Sequence, residues 1–333
     1  MYNVTDLIKK SLEGERLNAE EIVYLLSFSP DSPEGYEIIK AGALLSRKLS
    51  NNVAEVHGQF ALNLAPCPAD CKFCSFASIN KVFTESKELS ITEAINYALD
   101  FEKNSECSSI YIMTTANYDF GKFIEYSTEI KKHLKPETIL IANIGDQPLN
   151  NAIRMKEAGF TGVYHAVRMG EGRDNKLTKN IRLKSIENFK SAGLLVGTCV
   201  EPIGLEHTME EIAEKILIAA DINPVFSGAM RRINIPGSEL SKFPMVSELK
   251  MAQIVAVTRL ATPHNVIGNC THEPNPLGIF AGANLIWAES GANPRDIKEK
   301  TEESRGFSVA RCADMLEDMG WNVLKGGSAY FSK

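Results

Sequence analysis

Short apolar runs of strand character alternate with amphipathic helical patterns along most of this chain, and that alternation limits its fold more than any other feature. The runs fall at 59–65, 109–115, 138–143, 161–167, 194–201, 226–235, 265–270 and 283–288. Helical patterns separate most of them, at 91–103, 123–133, 149–158, 183–192, 209–221 and 247–261. Parallel strands need long crossovers, usually helical, so the order predicts an α/β fold with a parallel sheet. Eight such units predict a (β/α)8 TIM-type barrel, complete or nearly complete. An open doubly wound sheet is the rival, but its glycine-rich dinucleotide turn is missing after the first run. Gly159 and Gly193 sit where a helix ends and a strand begins, as helix-terminating glycines do. Residues 1–53 read as a helical extension ahead of a barrel occupying 54–333, with Asn18 capping one helix and Asp31-Ser32 preceding a pattern over 34–49.

The chain has 333 residues, enough for one such barrel, and its 44% hydrophobic content supports a large core. A net charge of −6 offers no basic face for nucleic acid, so the expected substrate is a small molecule or a group carried on a protein. No apolar run reaches the ~18 residues of a membrane helix, and the opening residues lack a signal-peptide pattern; both predict a cytoplasmic protein. In that reducing setting seven cysteines do not form a disulfide framework.

Three of those cysteines crowd into Pro66-Cys67-Pro68-Ala69-Asp70-Cys71-Lys72-Phe73-Cys74, directly after the first strand. Barrel chemistry gathers at the C-terminal strand ends, so the segment lies where chemistry is expected. Three thiolates on a tight loop can hold three corners of an Fe–S cubane and leave one iron open. A structural zinc would usually bring a second cysteine pair, which is absent. Pro66 and Pro68 stiffen the loop, and Asp70 favours a turn.

The CxxxCxxC spacing, with aromatic Phe73 before the last cysteine, resembles the signature of the radical S-adenosylmethionine (SAM) superfamily. The resemblance implies a 4Fe–4S cluster on Cys67, Cys71 and Cys74, with SAM chelated at the open iron and cleaved to a 5′-deoxyadenosyl radical. The wording of the triplet is similar to the biotin synthase branch, whose relatives include lipoyl-forming proteins, methylornithine synthase and hydrogenase maturases. The stretch 280–286 and the turn 235–238 resemble later segments of that branch. By the same resemblance, SAM contacts fall on Met113, Thr114 and Thr115 after the second strand. Glu171 follows after the fourth strand, Arg182 grips the SAM carboxylate, and Glu201 lies on the adenine side after the fifth.

Biotin synthase holds a second cluster with three cysteines and one arginine. Ile112, Ala142 and Ile267 stand at or near three of those positions, and only Cys199 comes close to a match. His165, Val167 and Met169 lie where that branch holds its substrate. Cys199 and Cys270 end strands on the expected active face and are candidates for an auxiliary cluster, with His272, His165 or an outside ligand; their alternative is a pair of small buried hydrophobes. Cys107 and Cys312 read as structural, His264 and His272 as satisfied core or loop residues, and 298–303 as a solvated helix face. The expected activity is sulfur insertion at unactivated carbon in cofactor biosynthesis. The alternatives are a radical rearrangement without sulfur insertion, or a non-enzymatic iron–sulfur carrier. The resemblance also implies an electron donor, whether a reductase, ferredoxin or flavodoxin, and a homo- or heterodimer.

Overall fold

The computed structural model describes residues 2–332. Eight strands form one parallel ring: β1 (Val53–Ala61), β2 (Cys107–Met113), β3 (Leu140–Asn143), β4 (Gly162–Tyr164), β5 in two pieces (Leu195–Gly197 and Val200–Ile203), β6 (Phe226–Arg231), β7 (Gly268–Cys270) and β8 (Leu285–Glu289). Neighbours in sequence are neighbours in space, and β8 pairs with β1. The first piece of β5 pairs with β4 and the second with β6, so the ring closes across Thr198 and Cys199. The barrel is complete.

Each expected strand exists, but β1 starts six residues earlier than its apolar run. Glu55 and His57 interrupt the apolar pattern, and with Gln59 they alternate with Val56, Gly58 and Phe60. The polar set points into the barrel, where His57 Nε2 lies 2.7 Å from Glu55 and Nδ1 lies 3.0 Å from the Tyr111 hydroxyl. The other set faces the helix Ile91–Glu102, which packs so closely that a Cβ on Gly58 would strike the Phe101 ring.

A second difference is the C-terminal segment. After the helix Val309–Asp318, residues Asn322–Val323 pair with the start of β1. The chain then turns into the N-terminal mouth of the barrel. Ala329 donates its N–H to Glu55 at 2.8 Å, the Ser328 hydroxyl does the same, and the Tyr330 hydroxyl donates to Asn284 O at 3.2 Å. Tyr330 and Phe331 pack with Phe226, Tyr111, Ile141 and Trp287, sealing the bottom of the ring.

Helices Val4–Leu12, Ala19–Ser27 and Pro33–Leu49 form the N-terminal part. Asn18 caps the second in a capping box with Glu21, and Ser32 caps the third. They share one apolar cluster with helices Met209–Ile222 and Glu248–Ala261. Helix Glu248–Ala261 is thereby covered on nearly all sides, which explains its lack of a polar stripe. The segment 298–303 is not a helix face: it holds a single turn, Thr301–Glu303, folded around buried Asp296, whose carboxylate accepts from the Thr301 hydroxyl at 3.0 Å. Phe280 ends a short helix, Pro276–Phe280, and β8 begins only at Leu285. No helix among the described residues is long and apolar enough to cross a membrane.

If the tail seals the barrel, Phe331→Ala should cost about 3–5 kcal/mol, the scale of emptying a buried phenylalanine site. Urea denaturation measures this directly. A change under about 0.5 kcal/mol, the scale of surface substitutions, would mean the tail does not support the core.

Candidate active site

A cavity of about 310 Å³ opens at the C-terminal end of the ring. Its wall includes Cys67, Cys71, Cys74 and Phe73 from the loop after β1, and Met113, Thr114 and Thr115 after β2. Asn143 and Asp146 come from β3 and its following loop, and Tyr164, Arg168 and Arg182 from the fourth unit. Glu201, Arg231, His272, Trp287 and Arg295 complete it from the remaining units. Residues far apart in sequence meet here because every β-to-α loop leaves the ring on this side.

The cysteine loop is held by its own backbone and by two neighbouring loops. Cys67 N donates to Phe76 O at 2.7 Å and Cys74 N to Cys71 O at 2.9 Å. Asp70 takes the left-handed conformation, φ 49°, and accepts from Ile79 N at 3.1 Å. The Asn80 amide donates to the carbonyls of Cys71, Lys72 and Cys74, at 3.3, 3.3 and 2.8 Å. Lys72 N bonds Asp174 O and Ser75 N bonds Pro294 O, each at 2.8 Å, tying the loop to the fourth and eighth units.

Three thiols on this wall fit an iron–sulfur cluster. Burial pushes Cys71 up to about 11 and Cys74 up to about 12, and the neighbouring cysteines add to each shift. Such thiols become thiolates readily only beside a strong positive centre, as a bound metal provides. Among the described residues no three His, Cys, Asp or Glu side chains are gathered as a ligand set for a single ion. A cubane does not need that convergence, since each thiolate binds a different iron.

Beside the cysteines lies a buried charge network. Arg182 lies near the start of the helix Lys179–Ser191 and is buried, with only 3% of it accessible. Its Nε donates to Ala166 O at 3.1 Å and lies 3.3 Å from Glu171, and Nη1 donates to Asp146 at 3.2 Å. Glu171 stands behind Arg182 instead of on the cavity wall, with one carboxylate oxygen buried and unpartnered. Burial raises the Glu171 carboxyl against the pull of Arg182. Glu201 accepts from the Tyr164 hydroxyl at 2.6 Å and lies 3.4 Å from Arg168 Nε. Thr115 is engaged by Asn63, whereas the Thr114 hydroxyl is buried on the wall with no partner and is free for a polar ligand.

Cys199 and Cys270 are not on the cavity wall. They lie a layer lower, within hydrogen-bonding reach of each other, among Tyr111, Tyr164, Phe226 and Trp287. Burial pushes the Cys199 thiol well up. His165, Val167 and Met169 are buried and also off the wall. Cys107 begins β2 at the opposite end, and buried Cys312 donates to Trp287 O at 3.4 Å. His264 donates its Nε2–H to Ser11 O, 2.9 Å away, joining the first helix to the loop before β7.

Asp146, Gln59, Arg231, Trp287 and Arg295 stand on the wall beyond the residues the sequence singles out, and His272, expected as a core or loop residue or as a ligand beside Cys199 and Cys270, stands there too. Each lies in or just after a barrel strand, and that position was the available signal.

Residues 66–217 match the Radical SAM superfamily, a span that begins at the cysteine segment. That matched segment, with the cysteine triplet at its start, marks a radical SAM enzyme, and the chain resembles the biotin synthase-like branch of that superfamily. Biotin synthase of Ehrlichia canis (strain Jake) is 24% identical over 266 residues, covering 75% of this chain and 82% of the relative. Biotin synthase of Legionella pneumophila (strain Corby) is 24% identical over 260 residues, covering 72% and 82%. Among solved structures, methylornithine synthase superposes with a TM-score of 0.78 at 18% identity, covering 97% of each chain. The FeFe-hydrogenase maturase HydG from Carboxydothermus hydrogenoformans gives 0.79 at 19%, covering 99% and 81%. At such identities the superpositions speak to fold.

The network makes a pH prediction. His165 Nε2 lies 2.9 Å from Asp146. Burial, aided by the Arg182 charge, pushes His165 down to about 3. Burial would raise Asp146, but the His165 hydrogen bond and Arg182 outweigh it and hold the carboxyl down at about 2. A neutral His165 therefore donates to a charged Asp146. The folded state binds fewer protons at His165 than the unfolded chain does, so stability falls as pH drops below ~6.5, by up to about 1.4 kcal/mol per pH unit. Asp146 contributes stability above its unfolded value, lost only as pH falls toward about 2. Urea titrations at pH 7.5 and 5.5 should show this slope, and His165→Gln should flatten it. Equal slopes in both proteins would refute a neutral buried His165.

Proposed function

We propose that the cavity is the site of reductive SAM cleavage, and that the radical acts there on a small molecule without drawing sulfur from a second cluster. The observation that carries this reading is the placement of three thiols, with no fourth local cysteine, on the rim of a cavity walled by polar groups from all eight barrel units. A 4Fe–4S cluster held by Cys67, Cys71 and Cys74 would supply one electron to the SAM sulfonium, giving a radical able to abstract hydrogen from unactivated carbon.

The chain's own residues would position the rest. Arg182 offers its guanidinium to the SAM carboxylate, with Glu171 and Asp146 fixing its orientation from behind and beside. Thr114 offers a free hydroxyl, Met113 an apolar contact, and Thr115 is held in place by Asn63. Phe73 packs beside the cysteines, and Glu201 with Arg168 forms the far side of the SAM half. The electron would come from a reductase, ferredoxin or flavodoxin.

Sulfur insertion is the second reading. The contact between Cys199 and Cys270 and the similarity to biotin synthases favour it. Against it, both thiols are sealed under aromatic side chains, away from the cavity, and a sulfur donor must reach the substrate carbon.

Anaerobically reconstituted protein with dithionite should form 5′-deoxyadenosine from SAM. Cys67→Ala, Cys71→Ala and Cys74→Ala should each abolish it; undiminished cleavage in any one would overturn the proposal.

Iron counting separates the two readings. One cluster predicts about four irons per chain, a value that should persist in the Cys199→Ser/Cys270→Ser double variant. About eight irons in the wild type, falling by half in that variant, would establish the sulfur-insertion reading instead.

A further inference from the structure

The wall formed by units six to eight carries none of the three cysteines, yet it is built for a ligand. Three of its N–H groups are buried with no acceptor: Arg231 Nε, Arg295 Nε and Trp287 Nε1. A buried donor without a partner costs about 1–3 kcal/mol, so three on one wall call for an acceptor that enters with the ligand. The rest of each side chain is fixed. Arg231 Nη1 donates to Val246 O at 3.2 Å, and Nη2 lies 3.4 Å from Glu248. Arg295 is braced by Glu289, which also takes Gln59 and, at 2.7 Å, His272. Trp287 is only 3% exposed and is flanked by His272, Tyr111 and Phe226.

Charge points the same way. The cavity lining holds four arginines, Arg168, Arg182, Arg231 and Arg295, against two carboxylates, Asp146 and Glu201, while Glu171, Glu248 and Glu289 pair with Arg182, Arg231 and Arg295 from behind the wall. Both carboxylates are already engaged, Asp146 by His165 and Arg182, and Glu201 by Tyr164 and Arg168. Burial and the Arg295 charge hold His272 well below its usual range, so it serves as a neutral hydrogen-bonding group.

We infer that this wall is a carboxylate subsite, so that the enzyme acts on a small carboxylic acid whose carboxylate is received by Arg231, Arg295 and Trp287. The apolar Met230 and Ile233 on the same wall leave room for an aliphatic chain between this anchor and the SAM half. The inference rests on reading the cavity as a radical SAM active site. It differs from the Arg182 assignment, which concerns the carboxylate of SAM itself.

The test is calorimetric titration of anaerobically reconstituted protein with glutarate and with its uncharged diamide, with and without saturating SAM. Glutarate should bind at least about tenfold more tightly than the diamide, the scale of one charge-assisted hydrogen bond. Arg231→Gln should remove that preference. Arg295→Gln should do the same, but it also strips a partner from Glu289, so Arg231→Gln is the decisive variant. Equal binding of acid and diamide, no glutarate binding, or wild-type preference in Arg231→Gln overturns the inference. Displacement of glutarate by SAM overturns it as well, since the wall would then serve SAM's own carboxylate. The titration requires no turnover. Failure to cleave SAM would therefore remove the proposed function while leaving this result readable.

Discussion

A closed ring of parallel strands has an interior that must be filled, and most of this protein's architecture answers that requirement. The ring closes through β5, whose two pieces serve β4 on one side and β6 on the other. Below, Tyr330 and Phe331 enter from the C-terminal segment. In the middle, Tyr111, Tyr164, Phe226, Trp287, Cys199 and Cys270 form an aromatic and thiol layer. Only the top is left open, so the same close packing that fills the lower layers defines the floor of the cavity.

Charges survive in this interior because they come in partnered groups. Glu55, His57 and Tyr111 form one at the bottom, while Arg182, Asp146, Glu171 and His165 form another beside the cavity. A single buried charge would cost several kcal/mol, whereas a saturated group holds its members in fixed orientation. Near the cavity that fixity matters for chemistry, because a guanidinium already clamped by two acids loses little freedom when a ligand arrives.

Much of this was legible in the sequence. The strand–helix alternation predicts the barrel, since burial from both sides makes parallel strands continuously apolar. The cysteine loop was readable from spacing alone, and all of Phe73, Met113, Thr114, Thr115, Arg182 and Glu201 reach the cavity wall. What escaped were features set by long-range packing. Glu55 and His57 look like loop residues until Ser328 and Ala329 arrive to bond them. Cys199 and Cys270 sit at strand positions that suggest the active face, but side-chain direction within a barrel layer is not encoded by position in the run. Arg231 and Arg295 resemble ordinary surface arginines, because nothing local records which carbonyl or carboxylate will brace them. The 298–303 run has the charges of a solvated helix, yet Asp296 draws it into a turn.

The tail that seals the barrel also has a consequence for synthesis. Glu55 lies in the first strand made, and its partners at Ser328 and Ala329 emerge 273 and 274 residues later. Until then the nascent barrel holds a carboxylate and an imidazole at an unsealed mouth, and the aromatic floor above them lacks its last two rings. Contacts this distant in sequence form late and slowly. A ribosome-bound intermediate of this chain would therefore expose its apolar interior from below, offering a chaperone a binding surface that vanishes in the finished fold.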